Sequence, residues 1–384
     1  MKRAALVAAF VFLPRVAYAV EGGAEDRTTS HAVAIARGTP GRDSVKCSGT
    51  LISANVVLTV RHCIAGVIDA PKACDVRLDA VAANVADDLW VNVSPWTDDG
   101  ARWKKAASVR VPETNAICGD DIALVVLREA VPTAEAVPAR PVTDEGELAR
   151  VIEPGVLGLS AFGVTAANAS DVGTRRARFD IPLRCVPGRP GPGCDADRAF
   201  IGQGEITSGA GPCRGDSGGA AMASADHGVI FGVLSRGEVG VGETSCALGV
   251  FERTDRWAWL IARTVLDASS SSEPPPTWAT ELFPASPSKG RFCDGSEKSC
   301  GQSMTCASFD GRRSFVCATT CDDGGASCGD GEACRAGICS PAEPAASAVG
   351  SSCSFVPRGR FGSVSVGIVA IQLALLFRRC RRRR

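Results

Sequence analysis

Eighteen cysteines in 384 residues constrain this chain more than any other feature. Cytosolic thiols stay reduced, so a cysteine content this high points to an oxidising compartment and to covalent cross-links. Their distribution divides the sequence. Eight lie from Cys47 to Cys246, and eight more crowd into the 47 residues from Cys293 to Cys339. Cys353 and Cys380 stand apart near the end. Between the two groups, ASSSSEPPP at 268–276 cannot bury a core, and residues 269–290 read as a Ser/Pro-rich linker.

Both ends carry export signals. Residues 1–19 have a basic start (Lys2, Arg3), an apolar run and a closing Ala17-Tyr18-Ala19, the pattern of a cleaved signal peptide. Residues 361–377 are uncharged and run into RRCRRRR at 378–384. Such a run is just long enough for a transmembrane helix held by a cytoplasmic arginine block. Cys353 within the polar linker 341–360, the apolar helix and the arginine cluster together resemble the MYXO-CTERM sorting segment of myxobacterial surface proteins. That resemblance implies an exported bacterial protein, anchored in the membrane by this helix or released after tail processing.

The formal net charge is zero, but the ends hold nine of the 42 basic residues and no acid. Residues 20–377 therefore carry a net charge of −9. With an acidic body, no excess of positive charge points to nucleic acid, so no nucleic-acid partner is expected. Residues 291–340 have little aliphatic content and no histidine, which favours a disulfide-held module over a zinc site. The eight cysteines there do not reveal their own pairing. No metal-ligand cluster or phosphate loop occurs, so no metal or cofactor is expected.

Residues 20–268 read as a β-rich domain. Short apolar runs such as Val56-Val57-Leu58, 122–127 and 229–234 are separated by Gly, Pro, Asp and Asn turns. One helix closes it, with Trp257, Leu260, Ile261, Thr264 and Val265 at helical spacing.

Three segments of this domain carry chemistry. His62 lies in Val57-Leu58-Thr59-Val60-Arg61-His62-Cys63, Asp121 begins Asp121-Ile122-Ala123-Leu124, and Ser217 sits in Gly215-Asp216-Ser217-Gly218-Gly219. A serine hydroxyl needs a base to take its proton, and the base needs an orienting carboxylate. The serine segment also satisfies the G-x-S-x-G pattern of α/β-hydrolases, but those need the order Ser, acid, His. The order His, Asp, Ser excludes them.

These three segments resemble the histidine, aspartate and serine motifs of trypsin-like (chymotrypsin-family) serine proteases, over roughly residues 20–268. The resemblance implies an all-β fold of two six-stranded antiparallel β-barrels with a C-terminal helix. It also implies His62 as general base, Asp121 as its orienter, Ser217 as nucleophile, and the N–H groups of Gly215 and Ser217 as oxyanion hole. By the same resemblance Cys47 pairs with Cys63, and Cys213 with Cys246. Cys74–Cys118 and Cys185–Cys194 are then the remaining pairs.

Val20-Glu21-Gly22-Gly23 resembles the mature start of that family, whose new α-ammonium meets the aspartate before the nucleophile, here Asp216. Val20 is also the residue that cleavage after Ala19 would expose, so export itself is expected to yield the active form. Gly211, Ser235, Arg236, Gly237 and Gly249 match the positions of the family's substrate pocket. Gly211 stands where trypsins carry an aspartate, and three glycines suggest a neutral pocket for apolar or aromatic side chains. Arg236 replaces a tryptophan of the family pattern; Arg214 and Arg236 are expected to pair with Glu238 and its neighbours. The leading reading is a monomeric serine endopeptidase acting on proteins or peptides. The alternative is a non-catalytic homologue that serves as a surface binding protein.

Overall fold

Strands four to eleven residues long, punctuated by glycine and acidic turns, build two barrels of identical strand order. The computed structural model describes residues 20–65, 77–187, 204–239 and 246–284. Towards the C-terminus it describes 291–296, 303–309, 314–321 and 328–341, together with Cys74, Cys194, Ile201, Gly202, Lys289 and Cys300.

The first barrel uses β1 (Ala32–Arg37), β2 (Val45–Ser53), β3 (Val56–Thr59), β4 (Leu89–Asn92), β5 (Trp103–Arg110) and β6 (Ala123–Leu127). It closes in the order β1-β2-β3-β6-β5-β4. The second uses β7 (Val156–Ala161), β8 (Arg176–Cys185), β9 (Glu205–Ser208), β10 (Ala220–Ala223), β11 (Val229–Val239) and β12 (Cys246–Arg253). It closes as β7-β8-β9-β12-β11-β10 through antiparallel pairing of β8 with β7. Both sheets are antiparallel throughout these rings, as expected, and each closure removes the open edges that a flat sheet would leave.

Inward side chains fill each barrel. Ile35, Leu51, Val57, Val91 and Val125 pack in the first, and Leu157, Leu159, Ile181, Ile206, Phe231 and Phe251 in the second. The short helix α1 (Arg61–Ala65) follows β3, and α2 (Glu145–Val151) links the barrels. Asp144 caps α2 by accepting from the Glu147 N–H. The closing helix α3 (Ala258–Ala268) lays Ile261, Ala262 and Val265 on the first barrel's core, and the Asn55 side chain donates to the Ala268 carbonyl. The last strand of the second barrel is thereby tied back to the first.

The stretch read as a linker is structured in part. Helix α4 (Thr277–Leu282) starts after Pro276, buries Ala279, and packs Trp278, Leu282 and Phe283 against α3. Beyond it, β13 (Met304–Ala307) pairs with β14 (Val316–Thr319), and β15 (Glu332–Arg335) with β16 (Ile338–Pro341). The disulfides Cys293–Cys306 and Cys300–Cys317 interlock around the first hairpin; Cys321–Cys334 and Cys328–Cys339 repeat the pattern around the second. The Trp259 ring stacks at a tilt on Phe315, 4.8 Å between centroids, and its N–H donates to the Cys293 carbonyl. The cysteine-rich module is thus seated on the protease domain by α3.

Among the described residues no helix is long and apolar enough to cross a membrane. The expected signal peptide (1–19), Cys353, the apolar segment 361–377 and the arginine tail 378–384 lie outside the described residues.

Candidate active site

His62 stands on α1 immediately after β3, and the Cys47–Cys63 disulfide ties that turn to β2. Asp121, fully buried at the start of β6, holds it with both oxygens. Its Oδ1 accepts from the His62 backbone N–H at 3.0 Å, and its Oδ2 meets the ring Nδ1 at 2.7 Å. A carboxylate can only accept, so the ring carries its proton on Nδ1 and leaves Nε2 with a free lone pair. The Ser235 hydroxyl donates to the same Oδ2 at 2.6 Å. Burial opposes ionisation of Asp121, but the charge and hydrogen bonds of His62 and the Ser235 hydroxyl outweigh it, so its carboxyl lies below the usual range.

Ser217 belongs to the turn that enters β10, in the second barrel, and is partly exposed. Ser48 of β2 reaches across from the first barrel to fix that turn. Its N–H donates to the Ser217 carbonyl at 2.8 Å, and its hydroxyl to the Gly215 carbonyl at 3.0 Å. The sulfur of Cys63 lies 3.7 Å from His62 Nε2 and 3.8 Å from the Ser217 carbonyl oxygen. The turn that carries Ser217 therefore lies against the His62–Asp121 pair at the junction of the barrels.

Two glycines make this approach feasible. A Cβ on Gly218 (φ +86°) would collide with the Ser48 carbonyl and the Thr59 hydroxyl. Gly215 (φ +92°) places its Cα side against Gly163, where a Cβ would come within 2.8 Å of the Gly163 Cα. The N–H groups of Gly215 and Ser217 donate to no backbone acceptor among the described residues, as an oxyanion-binding pair requires.

Asp216 is wholly buried. Its oxygens accept from the N–H groups of Gly163 (2.9 Å) and Cys213 (2.7 Å). Burial dominates these bonds and pushes its carboxyl up to about 7. Val20 lies fully buried in the second core, with the Glu21 N–H donating to the Gly211 carbonyl at 2.7 Å.

The pocket residues form one wall set. Gly237 and Gly249 are direct register partners of β11 and β12, and the Gly211 N–H donates to the Cys246 carbonyl at 3.1 Å. The Cys213–Cys246 disulfide links the two walls. Cys74–Cys118 and Cys185–Cys194 are also formed. Glu21, not singled out from sequence, places a carboxylate oxygen on the Cys246 N–H at 2.6 Å.

Arg236 departs from expectation. Its guanidinium turns inward and grips Glu205 with both nitrogens, at 2.6 and 2.8 Å, so its ion-pair partner is Glu205 on β9. Arg236 therefore contributes backbone, not charge, to the pocket wall. Arg214 is exposed and donates to the Ala169 carbonyl. Arg61, beside His62, is spent on the carbonyls of Asp79, Pro112 and Thr114. Glu205 and Glu252, both buried behind Asp121, were missed by sequence reasoning, because nothing local marks a strand glutamate as buried.

Two closed six-stranded antiparallel barrels with a C-terminal helix define the chymotrypsin-like fold. The sequence model of the Trypsin family matches residues 20–260, and the chain belongs to that family as a trypsin-like serine endopeptidase. Its substrates are accordingly proteins or peptides. A search of curated proteins returned no match.

Proposed function

We propose that the enzyme cleaves peptide bonds after apolar or aromatic residues through an acyl-enzyme on Ser217. The observation that carries this reading is the shared Asp121 Oδ2, which orients His62 with Nε2 as the available base. His62 Nε2 takes the Ser217 hydroxyl proton as Oγ attacks the scissile carbonyl. The resulting oxyanion is held by the N–H groups of Gly215 and Ser217. Collapse breaks the C–N bond, and His62 returns the proton to the leaving amine. Water, deprotonated by His62 in turn, then hydrolyses the ester and restores Ser217.

Gly211, Gly237 and Gly249 put no charged side chain of their own on the pocket walls, which supports apolar selectivity. Activation follows from export: cleavage after Ala19 would free a Val20 α-ammonium to pair with Asp216, adding to the charge of Arg176 that already acts on this buried carboxyl. The chain is then an exported bacterial protein held at the cell surface or released from it, and acts as a monomer. Substrate profiling of the processed full-length enzyme with a peptide library tests the selectivity. Cleavage after Phe or Leu at least about ten-fold faster than after Lys or Arg is expected. Preferential cleavage after Lys or Arg would overturn it.

A further inference from the structure

Behind Asp121 lies a buried charge layer that the peptide-cleavage chemistry above does not use. Glu205 on β9 and Glu252 on β12 are direct cross-strand partners, and both have zero exposure. Two like charges directly opposite each other in a sheet repel, and in a dry interior neither can be relieved by water. Among the described residues Arg236 is the cation that faces them, and it binds Glu205 bidentately. Glu252 Oε1 accepts from the N–H groups of Gly119 (3.0 Å) and Asp121 (3.2 Å). Its Oε2 is buried without a hydrogen-bond partner, and the Glu205 and Glu252 carboxyls are hydrogen-bonding neighbours that share the Gly119 N–H.

A carboxyl oxygen in that position satisfies itself only by carrying the proton and donating it. Arg236 also donates to the Ser235 hydroxyl at 3.2 Å, and Ser235 in turn donates to Asp121. The layer is therefore continuous with the aspartate that orients His62.

We propose that Glu252 and Glu205, sharing one proton and clamped by Arg236, are positioning residues that fix the turn carrying Asp121 and so set the orientation and basicity of His62. The inference rests on the catalytic reading given above. With the proton in place, Glu252 is neutral and the layer's charges are Asp121, Glu205 and Arg236, a net of one negative charge facing His62. On the far side of Asp121, Arg61 feels the charges of Asp121 and Asp120. Burial first, and then the charges of Glu205 and Asp121, hold the Glu252 carboxyl well above its ordinary range, which favours its protonated form. Loss of that proton would add a second negative charge behind Asp121 and strain the turn.

The test uses the processed full-length enzyme. Glu252→Ala removes the acceptor for the Asp121 N–H and one of the two for the Gly119 N–H, which also donates to Glu205 Oε1 at 3.1 Å. It is expected to lower kcat about ten- to a hundred-fold with KM little changed, because Glu252 touches no substrate. Glu252→Gln keeps the accepting oxygen and a donor towards Glu205, and is expected to recover most of that loss. Infrared spectra above neutral pH should show the carbonyl stretch of a buried carboxylic acid in the wild type and in Ser217→Ala, and lose it in Glu252→Gln. A band that is absent from the wild type, or that persists in Glu252→Gln, would overturn the shared proton. A kcat for folded Glu252→Ala equal to the wild type would overturn the positioning role. Should Glu252→Ala not fold, Glu252→Gln and the spectrum still decide. An enzyme whose Ser217 is unreactive while the band is present would count against the catalytic reading alone.

Discussion

Ser235 and His62 bond the same oxygen of Asp121: the hydroxyl approaches Oδ2 at 2.6 Å and the ring Nδ1 at 2.7 Å. One carboxylate oxygen with two donors fixes the imidazole plane more tightly than one donor would, since neither bond can swing without bending the other. Ser235→Ala removes one donor from a buried anion, a loss of about 1–3 kcal/mol in the support of ionised Asp121. We expect kcat to fall with KM nearly unchanged, and the acid limb of the kcat/KM profile to move. Steady-state kinetics across pH checks this.

Asp216 makes the unprocessed chain sensitive to pH. A buried carboxyl raised to about 7 binds its proton more tightly folded than unfolded. Stability is then full below the unfolded value near 4 and declines as pH rises through about 7, by about 4 kcal/mol in all. An α-ammonium at Val20 would cancel that decline. Thermal unfolding of the unprocessed and Val20-start proteins, both Ser217→Ala, should show the unprocessed form losing stability between about pH 4 and about pH 7, the window bounded by those two values. The processed form should not.

Gly218 tolerates no side chain. A Cβ there meets the Ser48 carbonyl and the Thr59 hydroxyl, both on strands of the other barrel. Gly218→Ala should cost about 3 kcal/mol or more and abolish hydrolysis by displacing Ser217. Denaturant titration together with an activity assay reads both losses.

Truncation should expose the seat of the cysteine-rich module. Ending the chain at residue 268 removes α4 and uncovers the faces that Trp278, Leu282 and Phe283 cover, as well as Trp259. A loss of about 2–4 kcal/mol is expected, with Tm lower by about 5–15 °C than in a chain ending at 340. Calorimetry of the two lengths decides the matter.

The parts legible in sequence were those whose chemistry is local. His62 sits against its own disulfide, Ser217 lies inside a five-residue glycine turn, and the closing helix repeats its apolar face at 3.6-residue spacing. Arg236 was misread because its partner, Glu205, is 31 residues away on a strand it meets only when the barrel closes. Helix α4 was hidden by the Ser/Pro run before it, although Trp278 and Leu282 stand at i, i+4 after a proline start. The twofold build of the cysteine-rich module was written in plain spacing: Cys293, Cys300 and Cys306 are set as Cys321, Cys328 and Cys334 are, with Asp following the first of each set and Gly the second. The shared strand order of the barrels, by contrast, leaves no mark in the residues, because many apolar patterns satisfy the same closed sheet.

The central claim, an activated Ser217, is tested most directly by a fluorophosphonate probe on the processed full-length enzyme, with the labelled peptide mapped by mass spectrometry. The account predicts one phosphonylated site, Ser217, with labelling lost in Ser217→Ala and strongly slowed in His62→Ala. A folded, Val20-start protein that takes no label at Ser217 would contradict it.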